Sequence, residues 1–341
     1  MRVAKYYNNH DVRLEQASVP EIGAGELLVK VWASGICGSD VMEWYRIKKA
    51  PLVLGHEIAG EIVKAGELVT RYKPGDRVFV SHHVPCNTCR HCLSGFHTAC
   101  DTLASTNFDP GGFAEYLRVP RINVDRGVFL LPDGMSYEEG TFIEPLACVW
   151  RAQRLAGMAA GKSVLVLGSG ISGLLHVALA RALGAARIMA TDISGFRLEA
   201  ALKAGANNAI HAKENVPERV LQVNDGQGAD LVIICTGAMR AMEQAFQCTQ
   251  RGATILIFAP TEPGACLPLD VNDIWKKGIT ITTSYGASPV DITTSMELLR
   301  FGRVPVQDMI THRLGLDEAA KGFALVAEAD KSIKVIIEPQ R

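Results

Sequence analysis

Cys86, Cys89, Cys92 and Cys100 fall within fifteen residues, spaced C-x2-C-x2-C-x7-C. Three thiols recurring every third residue, with a fourth close behind, can converge on one tetrahedral ion. Zinc is the default occupant of an all-thiolate set, and four protein ligands close it to chemistry. The spacing therefore predicts a small structural metal lobe over 86–100. Disulfides and an iron–sulfur cluster are the alternatives that spacing alone leaves open. The lobe constrains the fold without revealing what the protein does.

Composition sets the setting for that lobe. The chain has 341 residues, 48% of them hydrophobic and 21% charged, enough for large cores and for two domains. A net charge of −1 gives no broad electrostatic footprint for nucleic acid or a membrane surface. The start, MRVAKYYNNH, lacks the apolar core of a signal peptide, and no stretch has the uncharged length of a membrane span. A soluble cytoplasmic protein is expected. Cys37, Cys148, Cys235, Cys248 and Cys266 are scattered, as small buried hydrophobes usually are.

The first 120 residues read as β-rich, with short apolar strands at 27–31, 58–63 and 77–80 punctuated by Gly and Pro. The texture changes near Pro145. Strands at 163–167, 187–191, 231–234, 254–258 and 279–283 then alternate with helices at 171–183, 196–203 and 239–248. That alternation implies a parallel sheet wrapped by helices. The tail predicts helices at 293–301 and 316–327 and a last strand at 333–337.

The strand at 163–167 runs into Gly168-Ser169-Gly170-Ile171-Ser172-Gly173, a G-x-G-x-x-G loop between strand and helix. Gly168 permits the tight turn, Gly170 lets the backbone approach a pyrophosphate, and Gly173 lets helix and strand pack closely. The phosphates would sit on the helix N-terminus, which Ile171 and Ser172 open. Asp192 ends the next strand. A carboxylate there accepts from both hydroxyls of an adenosine ribose and repels a 2′-phosphate, which favours NAD over NADP. Arg197 follows, where it would flank the adenine or temper that preference.

A second set of ligand types lies upstream. Cys37 stands in Gly35-Ile36-Cys37-Gly38-Ser39-Asp40, and Gly55-His56-Glu57 comes nineteen residues later. Thiolate, imidazole and one carboxylate are zinc ligands that leave a fourth position open. These motifs, with Lys73-Pro74-Gly75-Asp76-Arg77-Val78, the cysteine quartet, Gly-Gly-Phe-Ala-Glu-Tyr at 111–116, Glu-Pro-Leu at 144–146 and the glycine loop, span most of the chain. Together they resemble the zinc-containing medium-chain dehydrogenase/reductase family, closest to its sorbitol, polyol and threonine dehydrogenase branch.

The resemblance implies an α/β chain of two domains with the cofactor in the cleft between them. Residues 1–149 and 290–341 would form a GroES-like β-rich catalytic domain, and 150–289 a Rossmann domain that binds NAD. It implies one catalytic and one structural zinc per chain. Cys37 and His56 would hold the catalytic ion, with Glu57 or Glu144 on the oxygen side. Alcohol dehydrogenases proper more often carry cysteine at the position of Glu144, so this residue tilts the chain toward the polyol branch. Asp40 would orient His56, and Ser39 would be the first proton acceptor. Many members carry histidine three residues beyond this serine. Here that position is Met42, so water, the cofactor ribose or Glu144 would replace the usual relay.

Trp44, Tyr45 and Arg313 are the substrate-lining residues the resemblance implies, while Arg46, Lys48 and Lys49 read as a solvated basic face, with contact to a phosphate or coenzyme A tail as the alternative. The expected activity is NAD-linked oxidation of a secondary alcohol or polyol to the ketone. The rivals are a dehydrogenase of a hydroxyacyl-CoA or cyclic hydroxy acid, and a non-catalytic NAD-binding zinc or redox sensor. A homotetramer is expected, with a dimer as the alternative. Strands at 254–258 and 279–283 would build its interface, braced by the metal lobe.

Overall fold

The computed structural model describes residues 1–341. The chain divides into two compact units: Met1–Ala147, Ala287–Phe301 and Val306–Arg341 form the first, Cys148–Gly286 and Gly302–Pro305 the second. The return of 302–305 to the second unit is too short to carry a compositional signature of its own.

The first unit is built on a seven-stranded sheet. In spatial order its strands are Ile310–Gly315, Lys334–Glu338, Leu27–Gly35, Glu57–Ala65, Arg77–Val80 and Val128–Leu130, with Tyr116–Val119 also pairing with Leu27–Gly35. The long strand Leu27–Gly35 alternates: Leu27, Val29 and Val31 are buried, and Leu28, Lys30 and Trp32 less so. Its inward face packs on Ile58, Ile62, Val78, Val80, Leu117 and Val119, the period-2 pattern of a sheet with one face in the core. A second core gathers Tyr6, Ile36, Leu54, Phe113, Phe323, Val335 and Ile337. Ile36 is thereby anchored, which seats the next residue, Cys37, at the end of the strand.

Register decides what meets at that end. Gly35 lies opposite Glu57, Ile58 opposite Val80, and Ile336 opposite Gly35. Continuing each pairing past its last residue brings Cys37, His56 and Glu57, His82, and Lys334 to a common edge of the sheet. These positions are far apart in the chain.

The second unit is a six-stranded sheet, parallel throughout: Asn208–His211, Arg187–Asp192, Ser163–Leu167, Ala229–Ile234, Thr249–Ile257, Thr280–Thr283. All five residues of Ser163–Leu167 are buried, as a strand covered on both faces requires. The winding reverses between Ser163–Leu167 and Ala229–Ile234, the switch point at which doubly wound sheets bind their ligands. A β-rich unit and a doubly wound parallel sheet are the two folds expected from sequence. The structure corrects one expectation: Thr249–Ile257 is paired on both sides, so of the two strands assigned to a subunit interface only Thr280–Thr283 has a free edge.

Candidate active site

In the lobe, the ligand atoms of Cys86, Cys89, Cys92 and Cys100 all lie within 4.8 Å of one another. Cys89 and Cys92 Sγ are 3.5 Å apart, and Cys86 and Cys92 Sγ 3.9 Å. Four sulfurs on one zinc at about 2.3 Å stand roughly 3.8 Å from each other, so the set fits the ion. Disulfides are absent, since all nine cysteines of the chain are free. The N–H and hydroxyl of Thr88 and the N–H of Cys89 donate to Cys86 Sγ and pull its thiol down to about 5. Local backbone thus prepares a thiolate before any ion is considered. Cys248 is buried as expected of a small hydrophobe, whereas Cys266 is exposed.

At the sheet edge, the ligand atoms of Cys37, His56 and Glu57 also fall within 4.8 Å of one another. Cys37 caps the short turn Gly38–Val41, and its N–H donates to Asp40 Oδ2 at 3.1 Å. The other Asp40 oxygen, Oδ1, lies 3.4 Å from His56 Nδ1. That contact leaves Nε2 as the ligand nitrogen. Asp40 is fully buried, which by itself favours the neutral acid. His56, Arg46 and the Cys37 N–H outweigh burial and hold the carboxyl below its ordinary value. His56 is likewise opposed by burial, yet Asp40 and Cys37 hold its imidazole well above its ordinary value. The negative potential that does this is what a divalent cation on the same three ligands would satisfy, with His56 then neutral. One thiolate, one imidazole and one carboxylate fit zinc with a position to spare.

Sequence reasoning missed two participants. Lys334 is completely buried and its Nζ pairs with Glu57 Oε2. Gly35 lies beside this pair, and a Cβ there would collide with both side chains. A lysine inside the apolar run 333–337 was the available signal. The second participant is the pair His82 and His83: the His82 ring lies 4.9 Å from that of His56 and 3.9 Å from that of His83. Burial, then the charge of His56, pushes His82 well below its ordinary value and His83 to about 4. The two line the cluster as neutral rings. Their signal was position, immediately after the strand that pairs with Glu57–Ala65.

Glu144 is half-buried in the first turn of the helix Ile143–Leu155. Trp44 is half-buried against Tyr45, with ring centroids 5.8 Å apart. Arg313 forms a salt bridge with Glu138 rather than with any group of the cluster. Lys48 and Lys49 are exposed, as a solvated face should be, but Arg46 is not: its side chain is 15% exposed and is bonded to Ser39 and Asp40.

In the second unit, Gly168 turns the chain at φ +95° between Leu167 and the helix Ile171–Ala182. A Cβ at Gly173 would collide with the Gly168 carbonyl. Asp192 accepts from Ser169 N at 2.8 Å and Ser194 N at 2.9 Å, which fixes the carboxylate beside the loop. Arg197 approaches Gly170, its Nη1 3.8 Å from where a Cβ would stand.

Comparison with known proteins gives this geometry a family. Residues 23–133 match the alcohol dehydrogenase GroES-like domain, and residues 172–300 match the zinc-binding dehydrogenase domain. The L-threonine 3-dehydrogenase of Bacillus licheniformis is 34% identical over 334 residues, covering 95% of this chain and 94% of its own. The chain belongs to the zinc-containing alcohol dehydrogenase family. Sorbitol dehydrogenase of Gallus gallus is 31% identical over 347 residues, covering 96% and 93%. A structure described as a zinc-binding dehydrogenase of Sinorhizobium meliloti 1021, bound to NADP, superposes with a TM-score of 0.87 at 28% identity over 99% of both chains. This dehydrogenase is thus a zinc-dependent oxidoreductase acting on CH–OH donors.

Proposed function

We propose that the protein oxidises a secondary alcohol or polyol to the ketone with NAD, using one ion on Cys37, His56 and Glu57 and a second, structural ion on Cys86, Cys89, Cys92 and Cys100. The observation that carries this reading is the convergence of the first three ligands, with Ser39 and Asp40, at one sheet edge. Sorbitol and threonine, in the names of the relatives, are both secondary alcohols.

When bound, zinc draws charge from the alcohol oxygen and the nicotinamide accepts the hydride. The chain's own residues do the rest. Asp40 keeps His56 turned so that Nε2 is presented. Lys334 offsets the charge of Glu57 in a buried setting. Ser39 receives the alcohol proton. The amides that open the helix Ile171–Ala182 hold the pyrophosphate, and Asp192, already fixed by two backbone donors, takes the ribose hydroxyls. That carboxylate supports NAD, although the Sinorhizobium relative was solved with NADP. Ser39→Ala is expected to slow oxidation steeply at neutral pH, and near-normal turnover would remove the serine from the proton path.

A homotetramer is proposed on the free edge of Thr280–Thr283 and the exposed apolar side chains nearby in sequence: Val271 at 74%, Trp275 at 77% and Tyr285 at 59%. A cytoplasmic setting is supported by the nine free cysteines. No helix is long and apolar enough to cross a membrane.

The test is a screen of zinc-replete protein against polyols, diols and hydroxyacyl-CoA thioesters with NAD and NADP, alongside metal analysis. Strong NAD-linked turnover of one alcohol class with two zinc ions per chain is the expected result. Tight NAD binding with no turnover of any alcohol overturns the catalytic reading.

A further inference from the structure

We propose that Arg46 is the positioning residue for proton transfer: its guanidinium clamps Ser39 so that the hydroxyl meets the alcohol as an acceptor. This rests on the dehydrogenase reading and on Ser39 as proton acceptor. Arg46 ends the short turn Glu43–Arg46. Its Nε donates to the Ser39 carbonyl at 2.9 Å, and its Nη2 donates to Ser39 Oγ at 3.0 Å and Asp40 Oδ1 at 3.3 Å. The guanidinium lies 4.7 Å from the Tyr45 ring centroid, which covers one side of it. One side chain therefore holds the backbone and the hydroxyl of a single residue at once.

The consequence follows from donor and acceptor inventories. Guanidinium has donors only, while a serine hydroxyl has one hydrogen and two lone pairs. With one lone pair occupied by Nη2, the Ser39 hydrogen cannot point at Arg46. It points away, and the second lone pair is left for the alcohol. An unclamped serine would rotate among its staggered wells. In the reaction the alcohol carbon loses a hydride to the nicotinamide. The alcohol proton passes to Ser39 Oγ as the serine's own proton leaves to water. Arg46 neither gains nor loses a proton. Its fixed charge faces the oxygen throughout, in a chain that has Met42 where a titrating imidazole would end the relay. Only a fork-shaped donor reaches both Ser39 atoms, so lysine is not an equivalent.

Arg46→Met and Arg46→Lys, each in the wild-type and Ser39→Ala backgrounds, test this. The readouts are kcat and KM for the alcohol found by the screen, zinc content by mass spectrometry, and NADH affinity by fluorescence. Arg46→Met should lower kcat about 10- to 100-fold, the scale of one charge-assisted hydrogen bond, with KM, zinc content and NADH affinity little changed. Arg46→Lys should fall between, and it carries the test if the methionine variant does not fold. In the Ser39→Ala background the same change should cost less than about threefold. An equal loss in both backgrounds overturns the proposal. So does loss of the zinc held near His56, which would place the effect in Asp40. So does a raised KM with intact kcat confined to phosphorylated or carboxylated alcohols, which would make Arg46 a substrate anion clamp. Normal turnover by Ser39→Ala sinks this proposal while wild-type turnover keeps the dehydrogenase reading. Absence of wild-type turnover ends both.

Discussion

The lobe at 86–100 draws its four sulfurs from fifteen consecutive residues, whereas the cluster at the sheet edge pairs Glu57 with Lys334, 277 residues away. The lobe is held by its own backbone, through N–H donors from Thr88 and Cys89 to sulfur. The edge cluster is held by strand register and by a buried ion pair. A site of the first kind is a local property, stable or unstable as the ion is present or absent. A site of the second kind exists only when the whole sheet has formed. It can then keep an open ligand position because the scaffold, rather than a fourth protein ligand, maintains its geometry.

The widest separation of the two regions is expected from their ligands. His56→Ala should reduce kcat/KM by about a thousandfold or more, several kcal/mol of transition-state stabilisation, while one zinc per chain remains in the lobe. Metal analysis alongside kinetics checks it. Loss of both ions would show that the sites are coupled. Next in size is Lys334→Met in the metal-stripped protein, which leaves the buried Glu57 carboxyl without its ion-pair partner. A loss of about 3–5 kcal/mol is expected by urea unfolding, and Lys334→Met combined with Glu57→Gln should recover much of it. Cys92→Ser should remove the lobe ion and lower stability by about 3 kcal/mol, with turnover per folded molecule largely retained. If turnover vanished with the lobe ion, the division into a structural and a reactive site would break.

A milder contrast lies in the second unit. His176 is fully buried, and burial pushes its imidazole down to about 3. Between pH 6.5 and that value the unfolded chain binds a proton that the folded chain does not. This stability is therefore present at neutral pH and is lost as pH falls. From pH 7.5 to 5 the loss should be about 2 kcal/mol, and His176→Gln should flatten the profile. The smallest effect is expected at Arg313, whose side chain is 45% exposed in its pair with Glu138. Arg313→Ala should change stability by less than about 1 kcal/mol and leave KM unchanged. A large rise in KM would restore Arg313 to the substrate site.

Legibility followed the range of the interactions. The strand Arg77–Val80 and the strand Ser163–Leu167 were read to the residue because apolar runs and turn residues bound them on both sides. The strand Asn208–His211 and the helix Val216–Val223 carry no comparable signal. The first is a short, polar-flanked segment, and the second follows it closely. At the candidate site, Cys37, His56 and Glu57 were legible as ligand types. Lys334 and His82 carry only weak local signals, a lysine within an apolar run and a histidine just past a strand, and neither says which distant strand will cover it. Arg46 sits in a run of three basic residues in four positions, a pattern that looks solvated, and only the turn Glu43–Arg46 folds one of them back onto Ser39.

By itself the sequence determined what is written in short spacings: the closed sulfur lobe, the glycine turn with its helix, the parallel sheet, and the ligand chemistry of the second metal site. Thiol spacing, backbone freedom at glycine and hydrophobic period act within a few residues, so they are legible without a fold. Tertiary structure alone brought Glu57 beside Cys37 and His56, set Lys334 against its charge, and placed Arg46 on Ser39. Those choices depend on register and burial. Excluding water from a charged pair is what makes its partner obligatory.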